Sequence, residues 1–223
     1  MPFLIVWGVM YMLGNGSTRL TQLKASLAGA ILGPISEIVY FKDYWHPAWI
    51  WPIYIGRFSL LIEDILFGFA ILGITSICFE IVTQSEIIRI PEKIPYTFKF
   101  IMVALLLSGA FSSVFILGIN SIYATAIAFM VASIPILMLR HDLFLNALVS
   151  GLFVMLLIFF SYSLLFYLVP NTEYLFLYAF KLGGRITGIP LTEIIFGFTF
   201  GFFLGPLDKF LRSKKAVRAK TLI

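Results

Sequence analysis

Ile62-Glu63-Asp64-Ile65-Leu66-Phe67-Gly68-Phe69 opens an apolar run that continues to Val82, and it returns without gaps as Leu191-Thr192-Glu193-Ile194-Ile195-Phe196-Gly197-Phe198. The shared pattern is an acid, two aliphatics and Phe-Gly-Phe, with Asp64 opposite Glu193. An apolar run of this length reads as a membrane-spanning helix, so two such helices begin alike. A looser third copy, Pro34-Ile35-Ser36-Glu37-Ile38-Val39-Tyr40, keeps the Pro, hydroxyl, acid and aromatic positions of residues 190–196.

Composition agrees with the motif. The 223 residues are 61% hydrophobic and 12% charged, with a mean hydropathy of +1.01 and 24 Phe, far from a soluble domain. Each span with its loop takes roughly 25 to 35 residues, so one membrane domain fills the chain. Apolar runs predict spans at Pro2–Leu13, Ala25–Phe41, Phe58–Val82, Phe100–Ile119, Ser121–Leu139, Leu143–Val169 and Ile189–Leu207. The fold class is therefore an all-α integral membrane protein of about seven helices. The repeated helices are the third and the seventh, which cross in the same direction. That parity predicts two parallel three-helix repeats, residues 1–82 and 121–207, joined by a connector and linking helix at 83–120 and followed by a basic tail at 208–223.

Basic residues orient the bundle. Arg19, Lys24, Arg89, Lys93, Lys99, Arg140 and six in the tail fall on one side, against Lys42, Arg57, Lys181 and Arg185 on the other. The positive-inside rule then puts the amino terminus outside and the carboxyl terminus in the cytoplasm. With no leader or transit pattern ahead of the first apolar run, the expectation is a prokaryotic inner membrane. The net charge of +5 sits mainly in the tail beside a helix, which suits a surface of anionic lipid and not nucleic acid. Cys78 is the only cysteine and the two histidines are far apart, so neither a disulfide nor a metal site is expected, and no cofactor motif is present.

Four acids, Glu37, Glu63, Asp64 and Glu193, interrupt the apolar runs near their predicted outer ends. A charged side chain at a helix centre costs about 3 kcal/mol, and an intramembrane acid is a functional candidate by default. The competing reading is structural: pairing with Lys42, Arg57 or Arg185, and Phe-Gly-Phe as a packing device. The aromatic stretch Tyr44 to Pro52, with Trp45 and Trp49, reads as an interfacial belt or as a lid over a site. Arg140-His141-Asp142 reads as a structural turn, and residues 83–99 as an amphipathic connector. The inner halves of the helices read as almost wholly apolar, which counts against a polar path between the two membrane faces.

These residues carry a family resemblance. The acid motif near the start of two helices, in a chain built as three plus one plus three, resembles the small integral-membrane lycopene cyclases of the heterodimeric and fused bacterial, archaeal and fungal type. Each half of that family carries a Pro-x-Glu-Glu-x-x-Phe-like motif. Glu63, Asp64 and Phe67 match it in the first half, and Pro190, Glu193 and Phe196 in the second. Leu61 stands where the first motif has Pro, and Thr192 where the second has its first acid. The stretch from Phe41 to Pro47 is similar to one in other chains carrying this domain. The resemblance implies a membrane isomerase in carotenoid biosynthesis that cyclises a polyene or other isoprenoid end group. Glu63, Asp64, Glu193 and Glu37 would transfer protons, and Phe67, Phe69, Phe196, Phe198, Trp45 and Trp49 would line the substrate. A small proton- or cation-coupled transporter and a non-catalytic lipid-binding or assembly protein are the alternatives, and association into a homo-oligomer stays open.

Overall fold

The computed structural model describes residues 2–41, 43–44, 52–55, 58–91, 93–169 and 183–218. Seven helices occur among them: α1 (Pro2–Leu13), α2 (Gly16–Tyr40), α3 (Ile62–Thr83), α4 (Tyr96–Ile116), α5 (Ser121–Leu139), α6 (Phe144–Leu168) and α7 (Leu191–Leu211). All but α1 are long and apolar enough to cross a membrane. At 12 residues, α1 rises only about 18 Å. The chain is thus an all-α membrane protein, its helices alternating in direction.

Three short antiparallel ribbons decorate the two ends: β1 (Pro52–Ile55) with β2 (Phe58–Leu61), β4 (Arg185–Ile186) with β5 (Ile189–Pro190), and β3 (Ser85–Arg89) with β6 (Lys214–Arg218). The first two hairpins run straight into α3 and α7 and mark what we call the hairpin face. The β3–β6 ribbon joins the ends of the same two helices at the opposite, tail face.

The expected spans Pro2–Leu13 and Ser121–Leu139 coincide with α1 and α5, and four others differ in instructive ways. Helix α2 begins at Gly16, nine residues before the apolar run. Its first turns are polar because they are buried against protein. Asn15 caps the helix by accepting from the Thr18 amide at 3.0 Å, and Gln22 Nε2 donates to the Trp7 carbonyl at 2.9 Å. Phe58–Leu61, expected as helix, form β2, and α4 begins at Tyr96 and stops at Ile116. At its far end α7 continues to Leu211, and residues 214–218 form β6. The expected connector and free basic tail are therefore tied together, Ile87 facing Ala216 at the middle of the ribbon.

Packing follows from small residues, which let membrane helices approach where lipid offers no hydrophobic drive to pair them. Helix α3 packs on α2 and α1, and α7 packs on α6 and α5. A Cβ on Gly29 or Gly68 would strike the other's carbonyl, and Gly33 meets the Asp64 carbonyl. Likewise Gly201 lies on the Ser150 carbonyl and Gly205 on the Ser150 side chain. Lys99, fully buried, closes the end of α7 by donating from Nζ to the Phe210 carbonyl at 2.7 Å and Ser213 Oγ at 3.0 Å. The turn at Arg140-His141-Asp142 is structural: Arg140 pairs with Asp142 at 2.7 Å and donates to the Lys214 carbonyl at 2.9 Å.

Candidate functional site

One face of α6 carries Asn146, Ser150, Val154, Ile158 and Tyr162, a residue every four; the first four are buried and Tyr162 is half-buried. The ladder covers about 24 Å of helix rise, and it sorts the core into three strata. Toward the hairpin face Tyr162 meets Glu193. In the middle Val154 and Ile158 form a dry cluster with Ile71 and Phe200. Toward the tail face Asn146 meets a buried ion pair, and Ser150 accepts from Cys78 Sγ at 3.2 Å.

In the first stratum Glu193 occupies the first turn of α7 and is only 6% exposed. Tyr44 donates a hydrogen bond to Glu193 Oε1, and Tyr162 bonds the same carboxyl. Thr192 Oγ1 lies 3.2 Å from the Tyr44 hydroxyl, extending the chain of polar groups. Burial, reinforced by the nearby Glu193 charge, holds the Tyr44 phenol well above its ordinary pKa, so it stays a donor. Asp43 positions Tyr44. Its carboxylate accepts from the Ser121 amide at 3.0 Å and the Ser121 hydroxyl at 2.5 Å, while Asn120 Nδ2 donates to its carbonyl at 2.6 Å, locking the end of α2 onto the start of α5. Tyr44 therefore belongs to the core, not to an interfacial belt.

Beside this cluster lies a groove of about 370 Å³ between α2, α4 and α5, lined by Ser36, Tyr40, Leu107, Phe111, Thr125 and Phe129 among others. It is almost wholly apolar and open on one side. Tyr40 forms its wall toward Glu193: the hydroxyl donates to Thr125 Oγ1 at 3.0 Å, and the ring meets Tyr44 and Phe196 edge-on, each at 6.2 Å. Phe196 in turn contacts Phe129 and Phe200 at 6.3 and 5.5 Å, so aromatic faces run from the groove to the carboxyl.

The other expected site residues are distributed. Glu63 and Asp64 lie half-buried in the first turn of α3, and neither oxygen of Glu63 has a hydrogen-bond partner among the described residues. Asp64 neighbours Glu63 and sits where α3 crosses Gly33 of α2, whereas Glu193 has its partners on α6 and at the end of α2. Glu37 lies one turn before Tyr40 on α2 and is half-buried. Among the aromatics, Phe196 reaches the Glu193 cluster. Phe67 packs edge-on against Phe3 at 5.2 Å, Phe69 against Trp7 at 5.0 Å, and Phe198 against Phe202 and Gly151. Trp45, Trp49, His46, Lys42 and Arg57 lie outside the described residues.

The third stratum corrects the expectation of an apolar inner half. Glu80 near the end of α3 and Lys209 near the end of α7 form an ion pair at 2.9 Å, both side chains fully buried. Lys209 Nζ also donates to the Ser76 and Gly205 carbonyls at 3.3 Å each. With its amide nitrogen turned to the Gly205 carbonyl, Asn146 accepts from Lys209 at 3.2 Å. Lys209 thus belongs to the bundle and not to a tail. The signal in sequence was a single acid, Glu80, breaking the run that ends at Val82. Tyr162 left no signal beyond its place on the four-residue ladder.

Among the described residues no group of three or more His, Cys, Asp or Glu is arranged to hold a metal ion. Comparison with known proteins found no matching family model, no matching curated protein and no matching solved structure.

Proposed function

We propose that this chain is a membrane isomerase of the lycopene cyclase type, which cyclises the end group of a polyene or other isoprenoid by proton transfer at Glu193. The observation that carries the reading is the junction at Tyr40, where an apolar groove open on one side ends one residue away from a buried, phenol-bonded carboxyl. The groove suits a hydrocarbon chain arriving from the bilayer. The carboxyl cluster suits the chemistry: an acid protonates a terminal carbon–carbon double bond, the cation closes a ring, and a base removes a second proton, with no net redox change. Faces of Phe196, Phe129 and Tyr40 suit the cation, each at about 0.5 to 2 kcal/mol. Glu63 and Asp64, in the equivalent turn of α3, are the second proton-handling pair, and Glu37 on α2 is a further candidate.

The architecture behind this reading is a pair of parallel three-helix repeats joined by α4. Support comes from positions equivalent under the register of Asp64 and Glu193. Ile62 and Leu191 each begin a helix at the end of a hairpin. Gln84 and Ser213 each take positive φ, 51° and 52°, to turn into β3 and β6. Even the buried ion pair joins equivalent positions, as does the central pair of the ribbon, Ile87 and Ala216. A pseudo-twofold axis running between α3 and α7 accounts for all of these.

A transporter reading would use the two polar strata as one path. The dry layer of Ile71, Val154, Ile158 and Phe200 between them favours the isomerase. The test is reconstitution of the purified chain in liposomes containing lycopene and prepared in heavy water. A cyclic isomer one mass unit heavier per ring supports acid-initiated closure. Polyene recovered unchanged from folded protein would reject this substrate.

A further inference from the structure

One side chain stands between the groove and Glu193. Tyr40, the last residue of α2, lines the groove with Thr125 and Phe129, whereas among the described residues Glu193, Tyr44 and Tyr162 lie outside that lining. On its far side the Tyr40 ring meets Tyr44 and Phe196 edge-on, each at 6.2 Å, and Tyr44 bonds Glu193. A chain lying in the groove therefore reaches the carboxyl only if a wall moves.

The two aromatic walls are held differently. Phe129 is stacked on the buried Phe203 at 5.1 Å and meets Phe200 edge-on at 5.8 Å, so it is fixed in the core. Tyr40 is half-buried at a helix end, and its hydroxyl is fastened to Thr125 Oγ1 at 3.0 Å. Thr125 is itself immobile: it is buried, and its hydroxyl donates to the Ser121 carbonyl at 2.8 Å, which leaves Oγ1 as the acceptor for the phenol. Asp43, bonded to Ser121, clamps the backbone just beyond Tyr40. With the backbone held, the motion left is rotation of the phenol between its side-chain rotamers, opposed by one neutral hydrogen bond and two edge contacts.

We propose that Tyr40 is a gate, latched shut by Thr125 in this structure, which the end of an apolar chain displaces to reach Glu193. The inference rests on the reading of Glu193 as the proton-transfer group and adds a selection step to it. Only a ligand that gains more in the groove than the phenol loses can shift the gate. A hydrocarbon end gains apolar contact there, whereas water and small polar molecules gain none. The gate thus keeps water from a cation formed behind it.

The experiment measures how fast dicyclohexylcarbodiimide, an apolar reagent for protonated carboxyl groups, modifies Glu193 of the full chain in liposomes, with Asp64 of the same sample as reference, both read by mass spectrometry of peptides. Tyr40→Phe and Thr125→Val each raise the Glu193 rate about threefold to tenfold, the fold-change from losing one ordinary hydrogen bond, and leave Asp64 unchanged. The double variant adds nothing to either single one, because both remove the same bond. Tyr40→Ala, which removes the wall with the latch, raises the rate furthest. A Glu193 rate in the wild type equal to that in Tyr40→Ala would overturn the proposal. So would a rise at Asp64 that matches the rise at Glu193, or single effects that multiply in the double variant. The labelling needs no turnover: these rates without cyclisation would reject the cyclase reading and keep the gate, and unchanged rates with cyclisation would reject the gate alone.

Discussion

Replacing Lys209 by Met breaks the fully buried ion pair at the tail face of the bundle. The substitution leaves Glu80 buried with no cation and strips the Ser76 and Gly205 carbonyls of a donor. Breaking a buried pair by removing one partner costs about 3 to 5 kcal/mol, because the surviving charge keeps its desolvation cost without compensation. For a chain of this size that is a fall in Tm of about 6 to 20 °C. Glu80→Met/Lys209→Met, which replaces both partners by apolar groups of similar length, recovers most of the loss, since a buried pair and well-packed apolar residues are often near equal in energy. Thermal unfolding in detergent by tryptophan fluorescence, for the wild type, both single variants and the double, gives the coupling as a double-mutant cycle. The coupling exceeds about 2 kcal/mol and changes little between low and high salt, because buried charges are poorly screened. A loss below about 1 kcal/mol for Lys209→Met alone would refute the reasoning and mean that water reaches Glu80.

Gly68→Ala drives a methyl into the Gly29 carbonyl and destabilises the protein by about 1 to 3 kcal/mol in the same unfolding assay, whereas Gly8→Ala, which meets open space, is close to neutral. Asp43→Ala uncaps α5 and loosens Tyr44, costing about 1 kcal/mol of stability and lowering turnover together. Tyr162→Phe removes one donor from Glu193 while keeping the ring; turnover falls at least about tenfold, with polyene binding, followed by absorbance, unchanged.

What could be read from sequence divides along a physical line. Apolar length sees lipid: α1 and α5 are legible to the residue because their ends coincide with a change from apolar to polar sequence. The same measure is blind to polar residues buried by protein, so it missed the first nine residues of α2, where Thr18, Thr21 and Gln22 face other helices. It also assigned Lys209 to a solvated tail, since a lone Lys before a basic stretch carries no sign that Asp208 faces outward to Lys214 and Arg212 while Lys209 turns in. Glu193 of the candidate site stands out in sequence because a repeated motif contains it. Tyr44 and Tyr162 do not, because each is brought to Glu193 by helix packing across a long stretch of chain. The sequence repeat is visible over eight residues, whereas the positions proposed as equivalent at the ion pair and the ribbon hold residues that differ in type.

The central claim is that Glu193, fed by the groove at Tyr40, is the proton-transfer group of an isoprenoid cyclase. Its most direct test is expression of the chain in lycopene-accumulating cells, with carotenoids resolved by chromatography for the wild type, Glu193→Gln and Asp64→Asn. The account predicts monocyclic or bicyclic product from the wild type and its loss in both variants at equal membrane abundance. Lycopene left unchanged by folded wild-type protein, or cyclic product that survives Glu193→Gln, would contradict it.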